Sequence, residues 1–79
     1  MQQNSTLLRE RRLELGLSQA ELCRIADLHQ SCASALERGY RKAGPKLQSR
    51  VSEAVEMEPG DLFDRRGFAI LRREATQSA

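Results

Sequence analysis

Gln19-Ala20-Glu21-Leu22-Cys23-Arg24-Ile25-Ala26-Asp27-Leu28-His29-Gln30-Ser31-Cys32-Ala33-Ser34-Ala35-Leu36-Glu37-Arg38 is the stretch that decides the fold. Its apolar positions have helical spacing, but no helix in it can run longer than about three turns. Leu22, Leu28, Ala33 and Leu36 are apolar, while Cys23 and Ala26 are small. Two short helices packed at a steep angle need a small side chain where they cross, which Cys23 supplies. The turn between them needs a residue that tolerates positive φ, and Leu28 is placed to plug the corner.

Outward from that corner the pattern stays helical. Leu8 to Leu15 reads as a first helix, with Asn4 or Ser5 as its cap and Gly16 as the left-handed residue that ends it. Ser18 followed by Glu21 is a capping box for the second helix. The third helix runs from about Gln30 to Arg38 and stops at Gly39, and Tyr40 to Gly44 is a basic loop. Pro45 suits the first turn of a fourth helix with the stripe Leu47, Val51, Ala54 and Val55. Pro59 to Phe63 reads as a fifth, very short one. The expected fold is an all-α, compact four- to five-helix bundle. Its core candidates are Leu8, Leu13, Leu17, Leu22, Ile25, Leu28, Leu36, Leu47, Val51, Val55, Leu62 and Phe63.

The chain has 79 residues, enough for one small domain. Its longest apolar run is Phe68-Ala69-Ile70-Leu71, too short to cross a membrane, and Met1 to Thr6 is too polar for an export signal. A cytoplasmic protein with no membrane partner is expected. Cys23 and Cys32, with the single His29 between them, form neither a zinc quartet nor a disulfide framework, so reduced thiols and no metal are expected. The net charge of +2 is small, but its distribution is uneven. Arg38, Arg41, Lys42, Lys46 and Arg50 fall in a segment without acids, while Glu53, Glu56, Glu58, Asp61 and Asp64 fall in one without bases. Such a molecule can orient on a polyanion. No nucleophile–base pair, metal spacing or phosphate-cradling glycine loop is present, so catalysis is rejected and no cofactor is expected.

Two short helices crossing steeply follow the logic of a helix-turn-helix, whose second helix enters the DNA major groove. Gly16-Leu17-Ser18-Gln19-Ala20-Glu21-Leu22, then Leu36-Glu37-Arg38-Gly39, then Pro59-Gly60-Asp61-Leu62-Phe63 make the chain resemble the lambda repressor/Cro-like (XRE) family from about Leu7 to Phe63. Arg12-Leu13-Glu14-Leu15-Gly16-Leu17 makes it look closest to the short lambdoid phage repressors, which are standard examples of this docking geometry. The resemblance implies double-stranded DNA as partner. Gln19, opening the second helix, would hold a phosphate, and Gln30, eleven residues later, would read a base edge while braced by Gln19. Ser31, Ser34 and Ala35 would share that face, with Arg38 near its end. His29 takes the cap position of the recognition helix and could touch a phosphate. Tyr40, Arg41, Lys42 and Lys46 would grip the backbone.

The resemblance also pairs Arg12 with Glu37, a structural ion pair, expected to be partly buried, that ties the first helix to the end of the third. The chain departs from the family pattern at Asp27, where glycine is usual at the turn. It departs again at Pro45, two residues late, and at Glu56, where a helix-ending glycine is common. Beyond Phe63 the family pattern ends. The expected division is therefore a DNA-binding domain over residues 1–64 and an extension over 65–79 with a frayed end. Exposed together, Phe68, Ile70 and Leu71 would form a dimerisation patch, as strand or helix, the alternative being a tail folded back on its own subunit. These readings give a homodimeric transcriptional regulator on a pseudo-palindromic operator, a repressor or autoregulator. The alternatives are a restriction-modification controller protein and an antitoxin-like module that holds a toxin. Glu10, Glu14 and Glu21 could offer a surface to RNA polymerase.

Overall fold

Thr6, rather than Asn4 or Ser5, caps the first helix. Its Oγ1 accepts the Arg9 amide hydrogen at 3.2 Å and donates to the Glu37 carbonyl at 2.8 Å, and the residue is completely buried. A cap with a second bond, thirty-one residues away in the chain, is fixed by tertiary structure as well as by helix chemistry. The computed structural model describes residues 5–71 and contains α1 (Leu7–Glu14), α2 (Gln19–Ala26), α3 (Gln30–Arg38), α4 (Pro45–Val55) and α5 (Pro59–Leu62).

Local signals set most of the boundaries. Gly16 and Gly39 take φ of +74° and +78° after α1 and α3, and Pro45 opens α4. Asp27 and Glu56, the two positions where the resemblance leads one to expect glycine, adopt left-handed backbone, φ 60° and 59°. An L residue there carries a steric cost, more easily borne by Asp than by Glu. The helix ends beside both positions receive arginines from other helices. Arg50 of α4 donates to the carbonyls of Ala26 (3.0 Å) and Asp27 (3.1 Å), closing α2. Arg11 of α1 donates to the Val55 carbonyl at 2.9 Å, closing α4. A cation on the last carbonyls of a helix satisfies them and complements the dipole.

The capping box of α2 is complete. Ser18 Oγ accepts the Glu21 amide hydrogen at 3.0 Å, and Glu21 Oε1 accepts that of Ser18 at 2.8 Å. The Ser18 backbone donor, then its hydroxyl, hold the Glu21 carboxyl below its ordinary value.

The core forms where α2 packs on α3 and α4, with α1 and α5 closing against α4. Leu8, Leu22, Ala33, Leu36, Val51, Val55 and Leu62 are completely buried, and Phe63, Ala26, Ala43 and Ala69 nearly so. Leu17, Leu28 and Leu47 are half-buried. Leu13 and Ile25, expected inside, are each 50% exposed. At about 100° per residue, Leu13 lies roughly 140° round α1 from Leu8, and Arg12 takes the inward position instead. Ile25 is likewise about 100° from the centre of the face made by Leu22, Cys23 and Ala26.

The chain does not stop packing at Asp64. Asp64 Oδ1 accepts the amide hydrogens of Arg66 (2.9 Å) and Phe68 (3.0 Å), which folds residues 64–68 into a turn. The strand-like return pairs Phe63 with Ala69 and Thr6 with Leu71 in antiparallel bridges. The Ile70 amide donates to Leu62 at 2.8 Å, and the Leu7 amide donates to Ile70 at 2.9 Å. Phe68, Ile70 and Leu71 are therefore half-buried against their own chain, and the expectation that they stand exposed together is corrected. The free Leu7 amide at the start of α1 and the free Leu62 carbonyl at the end of α5 supply the pairing. The rest of the expected extension, 72–79, lies outside the described residues.

Gly67 locks this return to the basic loop. Its carbonyl accepts the Ala43 amide hydrogen at 2.9 Å, its φ is +93°, and an added Cβ would lie 2.7 Å from the Ala43 carbonyl oxygen. Gly67→Ala is expected to cost about 1–3 kcal/mol, measured as a lowered urea midpoint. The capping box gives a pH signature of known sign. Because the Glu21 value is depressed on folding, its contribution is present above the unfolded carboxylate value and is lost as pH falls through the folded one. Glu21→Gln is expected to remove this part of the acid dependence in denaturation curves recorded between neutral and acid pH, whereas Ser18→Ala, which keeps the backbone donor, is expected only to reduce it.

Candidate nucleic-acid interface

A chain of polar side chains runs from the interior to the exposed start of α3. Arg12 and Glu37 are 7% and 3% exposed, more deeply buried than the sequence suggests. The guanidinium grips the carboxylate twice, Nε to Oε2 at 2.6 Å and Nη2 to Oε1 at 3.1 Å. Its third nitrogen, Nη1, donates to the Leu17 carbonyl at 2.8 Å. Glu37 Oε1 also accepts from Gln19 Nε2 at 3.3 Å, and Gln19 Oε1 accepts from Gln30 Nε2 at 3.4 Å. The last two bonds are long, the first part-buried and the second exposed, so they orient the amides more than they stabilise the fold.

The inward face of α3 is Ala33, Leu36 and Glu37. Gln30, Ser31 and Arg38 are exposed on the other side, with Ser34 and Ala35 half-buried beside them. These five residues, which share the helix spacings i, i+4 and i+8, make one face. His29 takes the N-cap position of α3 and is exposed, with no side-chain capping bond. Gly44 at the start of α4 makes none either, and Pro45 has no amide hydrogen. Both helix starts open on one depression, lined by His29, Ser31 and Cys32 on one side and Arg41, Gly44, Pro45 and Lys46 on the other. Two helix N-termini without side-chain caps and three bases, Arg41, Lys46 and Arg50, converge there against one carboxylate, Asp27, a balance that favours an anion.

A second depression, on the other flank of α3, is lined by Gln19, Ser34 and Arg38, and also by Arg9 of α1. Arg9 escaped the sequence reading, although it stands one helical turn before Arg12 and so shares its side of α1. Tyr40 is 76% exposed, and Lys42 is exposed. Tyr40 and Arg38 line a third depression with the 64–68 turn, and Arg38 is shared with the second. Arg50, counted among the loop bases in sequence, is committed to the end of α2.

Cys23 is buried where α2 meets α3. Burial pushes its thiol up, the Glu37 charge and Cys32 add to that, and Arg12 opposes it. It is a small packing residue kept protonated, and Cys32 is half-buried beside the bases.

Five helices among the described residues, with α2 packed on α3 across a left-handed turn at Asp27 and an exposed α3 face, define a helix-turn-helix protein. Residues 8–62, most of the chain, match the helix-turn-helix family, of the lambda repressor-like (XRE) type, and the chain belongs to that family. It is a DNA-binding transcriptional regulator. No curated protein and no solved structure matches it. No helix among the described residues is long and apolar enough to cross a membrane.

Glu37→Ala would leave Arg12 buried without a counter-charge and is expected to cost about 3–5 kcal/mol. Replacing both residues, Arg12→Met with Glu37→Leu, is expected to cost much less, because no uncompensated charge remains inside. Urea unfolding of the three proteins would measure the difference.

Proposed function

We propose that the protein is a sequence-specific regulator that binds a pseudo-palindromic operator as a homodimer and represses transcription, its own gene included. The observation that carries this reading is the Arg12–Glu37–Gln19–Gln30 relay, which holds an amide at the exposed start of α3. One hydrogen of Gln30 Nε2 is engaged by Gln19. The second, with Oε1, matches the acceptor and donor of an adenine edge in the major groove. Ser31, Ser34 and Ala35 form the rest of the reading face.

Phosphates flank it on both sides. His29, Arg41 and Lys46 attract one strand to the two open helix starts, and Gln19, Arg38 and Arg9 attract the other. Tyr40 and Lys42 extend the first grip along the loop. A helix with so few outward positions reads only a handful of base pairs. Two copies a helical turn apart supply the affinity and selectivity that a genomic site requires. A regulator of this kind responds to its own concentration through dimerisation.

An anisotropy titration against the DNA upstream of its own gene and against a shuffled duplex, at two salt concentrations, tests the reading. A sigmoidal, salt-sensitive curve with strong preference for the upstream sequence is expected. Equal weak binding to both would favour a protein partner instead. Gln30→Ala is expected to weaken the preferred site by about 1–3 kcal/mol and leave random DNA nearly unchanged. Lys42→Ala is expected to weaken all duplexes alike and lower the salt slope by about 0.9 for each phosphate that the lysine neutralises.

A further inference from the structure

The segment matched to the family ends at residue 62, yet the chain continues into a turn that packs against the basic loop after α3. Two contacts fix that turn beside the basic loop. Gly67 accepts the Ala43 amide hydrogen at 2.9 Å, and the Ala43 carbonyl accepts Gln48 Nε2 at 2.8 Å, so the loop is held from α4 and from the turn at once. Ala43 itself is 2% exposed, which makes it the anchor between Lys42 and Gly44.

At the outer edge of the same turn, Arg66 lines one depression with Arg38 and Tyr40. Arg38 ends the recognition helix and Tyr40 begins the basic loop, so a guanidinium from a third element joins two residues already assigned to the phosphate grip. The Arg66 side chain is 76% exposed, and its guanidinium carbon lies 5.3 Å from the centre of the Phe68 ring. A planar cation over a ring face is pre-oriented while its outer N–H groups stay free for an oxyanion. The nearest opposing charge is Asp64, whose Oδ2 lies 3.7 Å from Nη2. That contact is long, and the other carboxylate oxygen is engaged by two backbone amides of the turn.

We propose that the turn over residues 64–68 is an additional DNA-backbone contact of this chain, with Arg66 as its phosphate ligand and Gly67 as the residue that positions it. The proposal rests on the DNA-binding reading given above, and it extends the footprint past the end of the recognition helix.

The test uses the full chain and a random-sequence 25-base-pair duplex, with affinity followed across a salt series for wild type, Arg66→Gln, Arg66→Lys and Lys42→Ala. Arg66→Gln is expected to reduce the magnitude of the salt slope by about 0.9 per bound protomer, and Arg66→Lys to restore most of it. Thermal melts of all four proteins check that they are folded at the titration temperature. A Gln variant with the wild-type slope overturns the proposal, whether or not its affinity falls, since weaker binding at constant slope means a shape effect and an unchanged set of neutralised phosphates. If Lys42→Ala lowers the slope and Arg66→Gln does not, the turn is excluded while the DNA-binding reading stands. Absence of any duplex binding by wild type would overturn both.

Discussion

The buried pair of Arg12 and Glu37 is the interaction on which the rest depends. Burying two charges in so small a core is costly, and a bidentate contact at 2.6 and 3.1 Å does not by itself repay the lost hydration. The remaining bonds change the balance. Arg12 also holds the Leu17 carbonyl in the turn before α2, Glu37 also holds Gln19, and the Glu37 backbone carbonyl receives the Thr6 hydroxyl. Every bond places a different element, so one ion pair sets α1, the α1–α2 turn, α2 and α3 relative to each other. An apolar pair of equal volume could stabilise as well, but it could not pass a defined orientation outward to Gln19 and Gln30.

Arginine does a second kind of work in this fold. Arg11 and Arg50 cover the carbonyl ends of α4 and α2, the two ends that break with a non-glycine residue at positive φ. The steric cost of left-handed Asp27 and Glu56 is thus met where a cation bonds the neighbouring carbonyls. The formal charge of the chain consequently overstates the bases free for a polyanion. Those left on the α3 side come from separate elements: Arg9 from α1, Arg38 from α3, and Arg41, Lys42 and Lys46 from the loop and the start of α4.

Features decided within a few residues were legible in the sequence. Ser18 and Glu21 form their box, Gly16 and Gly39 end their helices, Pro45 starts α4, and the limits of α3 agree with its pattern. The Gln19–Gln30 and Arg12–Glu37 contacts were legible through the family resemblance, because each member has a set place in the motif. What depended on distant partners was not. Thr6 outcompetes Ser5 as a cap because Glu37 is waiting for its hydroxyl. Leu13 gives up the interior because Arg12 has a buried partner. The return of residues 63–71 could not be foreseen from an apolar run framed by arginines, since what decides it is a set of free amides and carbonyls near Thr6, Leu62 and Ala43. Arg9 looked like any solvated helix charge until α1 lay alongside Gln19 and Ser34.

This arrangement couples folding to recognition more tightly than a separate core and reading surface would. The relay from Glu37 to Gln30 begins at a residue that is almost fully buried and ends at one that is exposed. Loosening the interior must therefore blur the orientation of the reading amide before the domain unfolds. Coupling also runs the other way, because a ligand bound only by the folded state stabilises it by an amount that grows with the logarithm of one plus the ratio of its concentration to its dissociation constant. For a chain whose core holds a buried ion pair and four alanines, that increment is a substantial share of a small total. On the proposed reading, operator DNA would act as part of the structure: it would supply counter-charge to the bases around α3 and hold in place the outer end of a network whose inner end the protein alone secures.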